Sequence, residues 1–189
     1  MSTIDTSKTS LMRRIILTAV SAASLGACTG SKLPPVEPVD YVDLDRFMGD
    51  WYVIAAIPTS IEKESYNAVE TYRREDERTI DTTFTFRKGG FDGELKEYNP
   101  TGFVRDDPSN AIWGMQFIWP IKADYRIAYL DDDYGVTVIA RNKRDYVWIM
   151  AREPQLPDAD YASLVEFIEE IGYDTSALRK VPQRWQDES

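Results

Sequence analysis

The chain has 189 residues, 43% of them hydrophobic, which is enough for one folded domain with its own core. Its formal net charge of −10 argues against a nucleic-acid surface, which would be basic. The sequence contains no His and one Cys, so histidine catalysis, histidine metal sites and an intramolecular disulfide are all excluded.

The N-terminus predicts an exported and lipid-modified chain. Two arginines precede an apolar stretch, 15–25, which is too short to span a bilayer but typical of a signal peptide. The next residues complete Leu-Gly-Ala-Cys, which resembles the bacterial lipobox, whose Cys is acylated and becomes the mature N-terminus. We therefore predict a signal peptide at 1–27, starting at Met1 or Met12, and lipidation of Cys28. An ordinary signal peptide or a buried helix is the alternative.

A Pro-rich segment, 28–40, is predicted to be an extended tether between Cys28 and the folded domain. Thr29 rather than Asp follows the Cys, which in bacterial lipoproteins favours the outer membrane over the inner membrane. Residues 43–47 are predicted to form one helical turn.

Eight strands are predicted in close succession after this turn. Apolar residues alternate along them, as where Phe84 and Phe86 share one face, and short turns rich in Asp, Asn and Gly separate them. The predicted strands are 50–57, 67–75, 79–88, 93–106 with a bend at Asn99-Pro100, 111–120, 123–131, 134–142 and 145–153.

One amphipathic helix is predicted at 158–172, with Asp158 or Asp160 capping its start and Gly172 ending it. Its apolar face at helical spacing consists of Tyr161, Leu164, Val165, Ile168 and Ile171. The predicted fold is all-β: an eight-stranded antiparallel up-and-down barrel with the C-terminal helix packed outside. Such a barrel has room for one small ligand, although periodicity alone does not exclude a sandwich filled by side chains.

Four stretches resemble the motifs of the lipocalins. Gly49-Asp50-Trp51-Tyr52 resembles the Gly-x-Trp-Tyr signature, Asp124-Tyr125 the second motif, and "DYVWIMAREP" with Arg152 the third. The stretch "GYDTSALRKVPQ" resembles the last segment of the bacterial outer-membrane lipocalins. The resemblance implies a lipocalin barrel at 41–183, followed by a tail at 184–189.

The resemblance also implies what the opening motif does. Trp51 is expected at the closed base of the barrel, with the guanidinium of Arg152 stacked on its indole. Gly49 is expected to let the turn before it approach closely, because it has no side chain. All three are predicted to be structural residues of the barrel base.

Alternation anchored on Trp51 and Arg152, with the family's pattern, predicts which side chains face the interior. The predicted ligand-binding residues are Glu70, Tyr72, Phe84, Tyr98, Trp113, Met115, Phe117, Tyr125, Ile139 and Trp148. Ala55, Tyr129 and Arg141 are also expected inside. Glu70 and Arg141 either pair with each other or a ligand head group, or a bulge turns one of them to solvent.

The function implied by the resemblance is binding, storage or transport of fatty acids or lysophospholipids in the cell envelope. The protein would be lipid-anchored to the bacterial outer membrane and face the periplasm. The alternative is a structural envelope lipoprotein with a filled barrel, acting through its outer surface. No enzyme activity, cofactor or metal is expected, since the chain has no His and its Cys serves the anchor. Because some bacterial lipocalins dimerise, a homodimer is an open alternative.

Overall fold

The computed structural model describes residues 33–185. The predicted signal peptide and Cys28 lie outside this range. The described elements are α1 (Leu44–Phe47), β1 (Gly49–Ile57), β2 (Ser65–Arg74), β3 (Thr79–Lys88), β4 (Leu95–Tyr98), β5 (Thr101–Val104), β6 (Ile112–Ile118), β7 (Ile121–Leu130), β8 (Val136–Ala140), β9 (Val147–Ala151), α2 (Asp158–Glu170), a 3₁₀ turn (Thr175–Ala177) and β10 (Arg179–Lys180). None of the helices in this range is long and apolar enough to span a membrane.

The strands form a closed antiparallel barrel, as predicted. Neighbouring strands of the wall follow one another along the chain, and β9 pairs back onto β1. β4 and β5 both pair with β3 and act as one wall strand, interrupted at the predicted bend at Asn99-Pro100. The wall therefore has eight strands.

The barrel has a closed and an open end, which we define by their loops. The closed end carries α1 and the loops 75–78, 105–111 and 131–135. The open end carries the loops 58–64, 89–94, 119–120 and 141–146.

Two of the register shifts in the wall show that two predicted side-chain orientations were wrong. The register slips between Val53 and Ala55 in β1 and between Ile127 and Tyr129 in β7. Beyond each slip the side chains change face. Ala55 and Tyr129 therefore pack outside the barrel in the cluster around α2, rather than inside as predicted.

α2 packs on the outer wall through the predicted apolar face, in which Leu164 and Ile168 are buried. The predicted cap by Asp158 or Asp160 is wrong. The N-cap is Pro157 and makes no side-chain hydrogen bond, and the two aspartates lie in the first turn, where they favour the helix dipole. Gly172 follows the helix with φ +95°, as predicted for its terminator.

The Pro-rich segment is not free of the barrel: Val36 packs in the outer cluster around α2, and Val42 packs in the interior cluster at the closed end. At the open end, the Pro34 carbonyl accepts from Arg144 and the Val36 amide donates to Asn142. Further along, the Val42 amide donates to the Ser109 carbonyl at the closed end. We call residues 33–42 the strap, since they run from the open end to the closed end.

A C-terminal segment, 179–183, fills a seam between β1 and β2. The two strands pair only near the closed end, at 49–52 and 69–72. Where they part, β10 pairs with Ala55 and Ala56 of β1. The Gln183 amide then donates to the carbonyls of Val53 and Ala68, and so joins both sides of the seam.

Candidate functional site

The closed end is sealed by the Trp51–Arg152 pair. The Arg152 guanidinium lies 3.9 Å from the centroid of the Trp51 indole, and Trp51 has no exposed surface. Burial lowers the pKa of Arg152, although a guanidinium keeps its charge at neutral pH. It donates to five backbone carbonyls at 2.7–3.3 Å: Arg46, Phe47, Met48, Asp50 and Tyr134. Arg152 thus also satisfies the free carbonyls at the end of α1.

Gly49 is required here by geometry. Its φ is +96°, and a Cβ at this position would lie 3.3 Å from Nη1 of Arg152. A side chain would therefore strain the backbone and press on the guanidinium. The Trp51 indole nitrogen donates to the Phe47 carbonyl at 2.9 Å, which fixes α1 beneath the barrel.

The lower barrel is filled by aromatic side chains. Phe47 of α1 projects into it and lies 5.0–5.6 Å, ring centre to ring centre, from Trp51, Tyr72 and Trp113. Trp113 in turn stacks on Tyr125 at 5.3 Å. These rings form the floor of the space above.

Above this floor lies a cavity of about 400 Å³ that opens at the open end, within the usual range for small-molecule pockets. Seven predicted ligand-binding residues line it: Glu70, Phe84, Tyr98, Met115, Phe117, Tyr125 and Trp148. Three do not, namely Tyr72, Trp113 and Ile139, which have no exposed surface and lie in the packed core. Strand alternation identified their inward face but not their depth. Phe47 packs on Tyr72 and Trp113 and occupies the space that these two would otherwise border.

A buried polar group lies at the cavity floor. Burial, together with the negative charge of Glu62 nearby, raises the pKa of Glu70 to about 8, and interaction with Tyr72 lowers it only in part. The Tyr72 and Tyr125 hydroxyls hydrogen-bond to each other, and burial raises the pKa of both phenols well above the ordinary value. At neutral pH these three groups are therefore protonated and able to donate hydrogen bonds.

The β1–β2 loop, residues 58–64, contributes to the cavity, which the sequence did not predict. Thr59, Ser60, Ile61 and Glu62 of this loop line the cavity. The buried Glu62 carboxylate accepts from the Trp148 indole nitrogen at 2.8 Å and from the Thr59 amide at 2.8 Å. A loop has no alternation to reveal which side chains turn inward, so no sequence signal was available.

Arg141 also lines the cavity, so Glu70 and Arg141 both face inward. They do not pair with each other: Arg141 lies 3.4 Å from the Asp145 carboxylate. Nε of Arg141 and Oδ1 of Asp145 are buried without a hydrogen-bond partner. Arg141 is the only basic residue among those that line the cavity. Within residues 33–185, no cluster of His, Cys, Asp or Glu suits a metal ion.

The described chain is an eight-stranded barrel with a sealed base and an apolar cavity that opens at the other end. The family model of the lipocalin-like domain matches residues 42–183, and the chain belongs to this family. It is 31% identical over 160 residues to temperature-induced lipocalin-1 of Arabidopsis thaliana, covering 78% of this chain and 83% of that one. It is 27% identical over 180 residues to the outer membrane lipoprotein Blc of Citrobacter freundii, covering 89% and 96% of the two chains.

Solved structures agree on the fold. Insecticyanin of the tobacco hornworm Manduca sexta matches with a TM-score of 0.63 at 15% identity, covering 82% of this chain and 86% of that one. Lobster apocrustacyanin A1 matches with a TM-score of 0.61 at 15% identity, covering 76% and 81%. At these identities the likeness shows the barrel, not a ligand.

Proposed function

We propose that this protein binds one lipophilic ligand, a fatty acid or the acyl chain of a lysophospholipid, in the open-ended cavity. The observation that carries the proposal is the cavity itself, bordered chiefly by Phe84, Met115, Phe117 and Trp148. Each CH₂ group transferred from water into such a site contributes about 0.8 kcal/mol. An acyl chain gains enough in this way to outweigh the cost of ordering it.

Arg141 is the proposed counter-charge for an acidic head group. It is the basic side chain of the cavity lining. A carboxylate or phosphate beside it would form a charge-assisted hydrogen bond.

The proposed location is the bacterial outer membrane, with acylated Cys28 as the anchor and the barrel facing the periplasm. The Leu-Gly-Ala-Cys sequence and the similarity to outer membrane lipoproteins Blc support this proposal. Two or more acyl chains give stable anchoring, so an acidic body needs no basic patch to stay at the bilayer.

Fluorescent fatty-acid displacement on delipidated protein tests the cavity, and native mass spectrometry checks the stoichiometry. We expect a dissociation constant well below about 100 μM, which corresponds to about −5.5 kcal/mol. If no long-chain fatty acid or lysophospholipid binds more tightly than this, the proposal is wrong.

A matched ligand pair tests the role of Arg141. Arg141→Gln should weaken binding of a fatty acid roughly tenfold, as one charge-assisted hydrogen bond is lost. It should leave binding of the fatty alcohol of equal length unchanged. Equal losses for both ligands would show that Arg141 only shapes the cavity.

Cys28→Ser tests the anchor separately. The described barrel makes no contact that needs this thiol, so the variant should fold and leave the membrane fraction. A variant that still pellets with outer membrane after a high-salt wash would contradict the lipoprotein assignment.

Two alternatives are weaker. A structural role with a filled barrel is less favoured because about 400 Å³ remains open above the floor. Catalysis is less favoured because the cavity lining offers no Cys or His, and Ser60 and Thr59 lie beside no histidine base.

A further inference from the structure

The open end carries an unusual concentration of exposed apolar side chains. In the β6–β7 hairpin, Ile118, Trp119 and Ile121 are 71%, 82% and 68% exposed. Phe117 on the same hairpin and Ile61 on the facing β1–β2 loop are also exposed at the cavity rim. Exposed apolar patches of this kind mark interaction sites in soluble domains. We call the hairpin residues 117–121 the rim hairpin.

Ligand binding does not account for the whole rim hairpin. Phe117 and Ile118 line the cavity, but Trp119 and Ile121 do not. Trp119 makes no aromatic contact or side-chain hydrogen bond within residues 33–185, whereas the other four tryptophans each hydrogen-bond through the indole nitrogen. Its side chain therefore projects from the barrel without a partner in the described part of the chain.

The position of the strap indicates which end of the barrel would face the membrane. Its first described residues, Leu33 and Pro34, lie at the open end, where the Pro34 carbonyl accepts from Arg144 of the loop 141–146. The exposed Leu33 belongs to the same end. Four residues lie between Cys28 and Leu33, and the five Cα-to-Cα steps that join the two span at most about 18 Å. An acyl anchor on Cys28 would therefore hold the open end, not the closed end, next to the bilayer.

Charge agrees with this orientation. The closed end carries Asp131, Asp132 and Asp133 in one loop and the acidic run 75–77 in another. An anionic membrane surface repels such an end. At the open end, Lys143 of the loop 141–146 can contact lipid phosphates while its stem lies along apolar surface. The neighbouring Arg144 instead ties the strap to this end, because its guanidinium donates to the carbonyls of Pro34, Asn142 and Ile171.

We propose that the rim hairpin inserts into the surface of a lipid bilayer, so that the cavity opens toward the membrane. Trp119 would lie at the level of the head groups, where its amphipathic indole is favoured. Lipid ligands would then pass between bilayer and cavity without crossing water. The inference builds on the proposed anchor for its direction, but it does not depend on which lipid the cavity binds.

The experiment measures depth at two positions. Protein purified from its own membrane, carrying Ile121→Cys or the closed-end control Asp132→Cys, is labelled with bimane. A sample without an added Cys shows whether Cys28 takes label. The proteins are mixed with vesicles of phosphatidylethanolamine and phosphatidylglycerol that contain a nitroxide lipid. We expect strong quenching at 121 and little at 132.

A second variant separates insertion from simple proximity. Trp119→Asp should reduce quenching at 121 severalfold, because a carboxylate disfavours insertion. Tyr41→Asp, which changes an exposed aromatic residue of the strap, should not. Neither residue lines the cavity, so fatty-acid displacement should be unchanged in both variants.

Three results would overturn the inference: no quenching at 121, equal quenching at 121 and 132, or quenching at 121 that Trp119→Asp leaves intact. A dimer in light scattering whose label is shielded from lipid would also overturn it, since a second copy would then cover the patch. Fatty-acid displacement measured on the same samples tests ligand binding separately, so failure of membrane insertion and failure of the proposed function give different results.

Discussion

We expect Glu70 to make the stability of this protein fall as pH rises from about 5 to about 8. Its pKa rises from the ordinary 4.5 to about 8, because the carboxyl is buried and the negative charge of Glu62 lies nearby. Between these values the folded protein holds a proton that the unfolded chain has released. The unfolded state therefore binds fewer protons, and the free energy of unfolding falls as pH rises.

The magnitude follows from the two pKa values. One pH unit within the interval corresponds to about 1.4 kcal/mol. Raising the pH from about 5.5 to about 8.5 should remove about 3 kcal/mol of stability. In a domain of this size the melting temperature should fall by about 6–12 °C. The sequence has no His, so no ordinary side chain competes in this interval.

Circular-dichroism melts of delipidated protein at the two pH values measure the effect. Glu70→Gln keeps the shape of the side chain but cannot ionise, so its melting temperature should be nearly the same at both pH values. At the higher pH it should exceed that of the wild type. Glu64→Gln, an exposed site on the same loop as Glu62, should retain the wild-type slope. A flat wild-type profile, or a slope that persists in Glu70→Gln, would refute this account of Glu70.

Three further predictions concern the closed end. Arg152→Ala should lower the free energy of unfolding by about 2–4 kcal/mol, because it removes the cation stacked on Trp51, and should leave ligand affinity unchanged. Loss of affinity at full thermal stability would instead assign Arg152 to the ligand site. Gly49→Ala should lower the free energy of unfolding by about 1–3 kcal/mol, since the backbone φ at this position is +96°. An unchanged melting temperature would show that the backbone there is not strained by a side chain. Trp113→Ala should lower the free energy of unfolding by about 3–5 kcal/mol, because Trp113 has no exposed surface. A much smaller loss would show that Trp113 borders open space instead.

Much of the fold was predictable because the strands and the helix of this barrel leave a local periodicity in the sequence. Alternation located the strands, and helical spacing located α2 and its buried Leu164 and Ile168. Alternation fails where the backbone departs from a regular strand. The bulges at Val53/Ala55 and Ile127/Tyr129 add no recognisable residue to the sequence, yet they turn Ala55 and Tyr129 outward.

The sequence predicted which strand residues line the cavity wall. It did not predict how deep the cavity reaches or which loop residues contribute to it. Phe84, Met115 and Trp148 follow from alternation, whereas Tyr72 and Trp113 lie too deep because α1 fills the base. The buried Glu62 comes from a loop, and its position depends on hydrogen bonds to Trp148 and Thr59 that form only in the folded chain. Such long-range contacts leave no mark on a local pattern.

The seam between β1 and β2 has a consequence for how the chain folds. Gln183 bonds to Val53, which lies 130 residues earlier, so the wall is completed by the last part of the barrel domain to be synthesised. Contacts of such separation require closure of a long loop and slow the folding of β proteins. A chain emerging from the ribosome cannot finish its barrel before residues 179–183 are available. Until then the part of the wall where β1 and β2 part lacks the segment that joins its two sides.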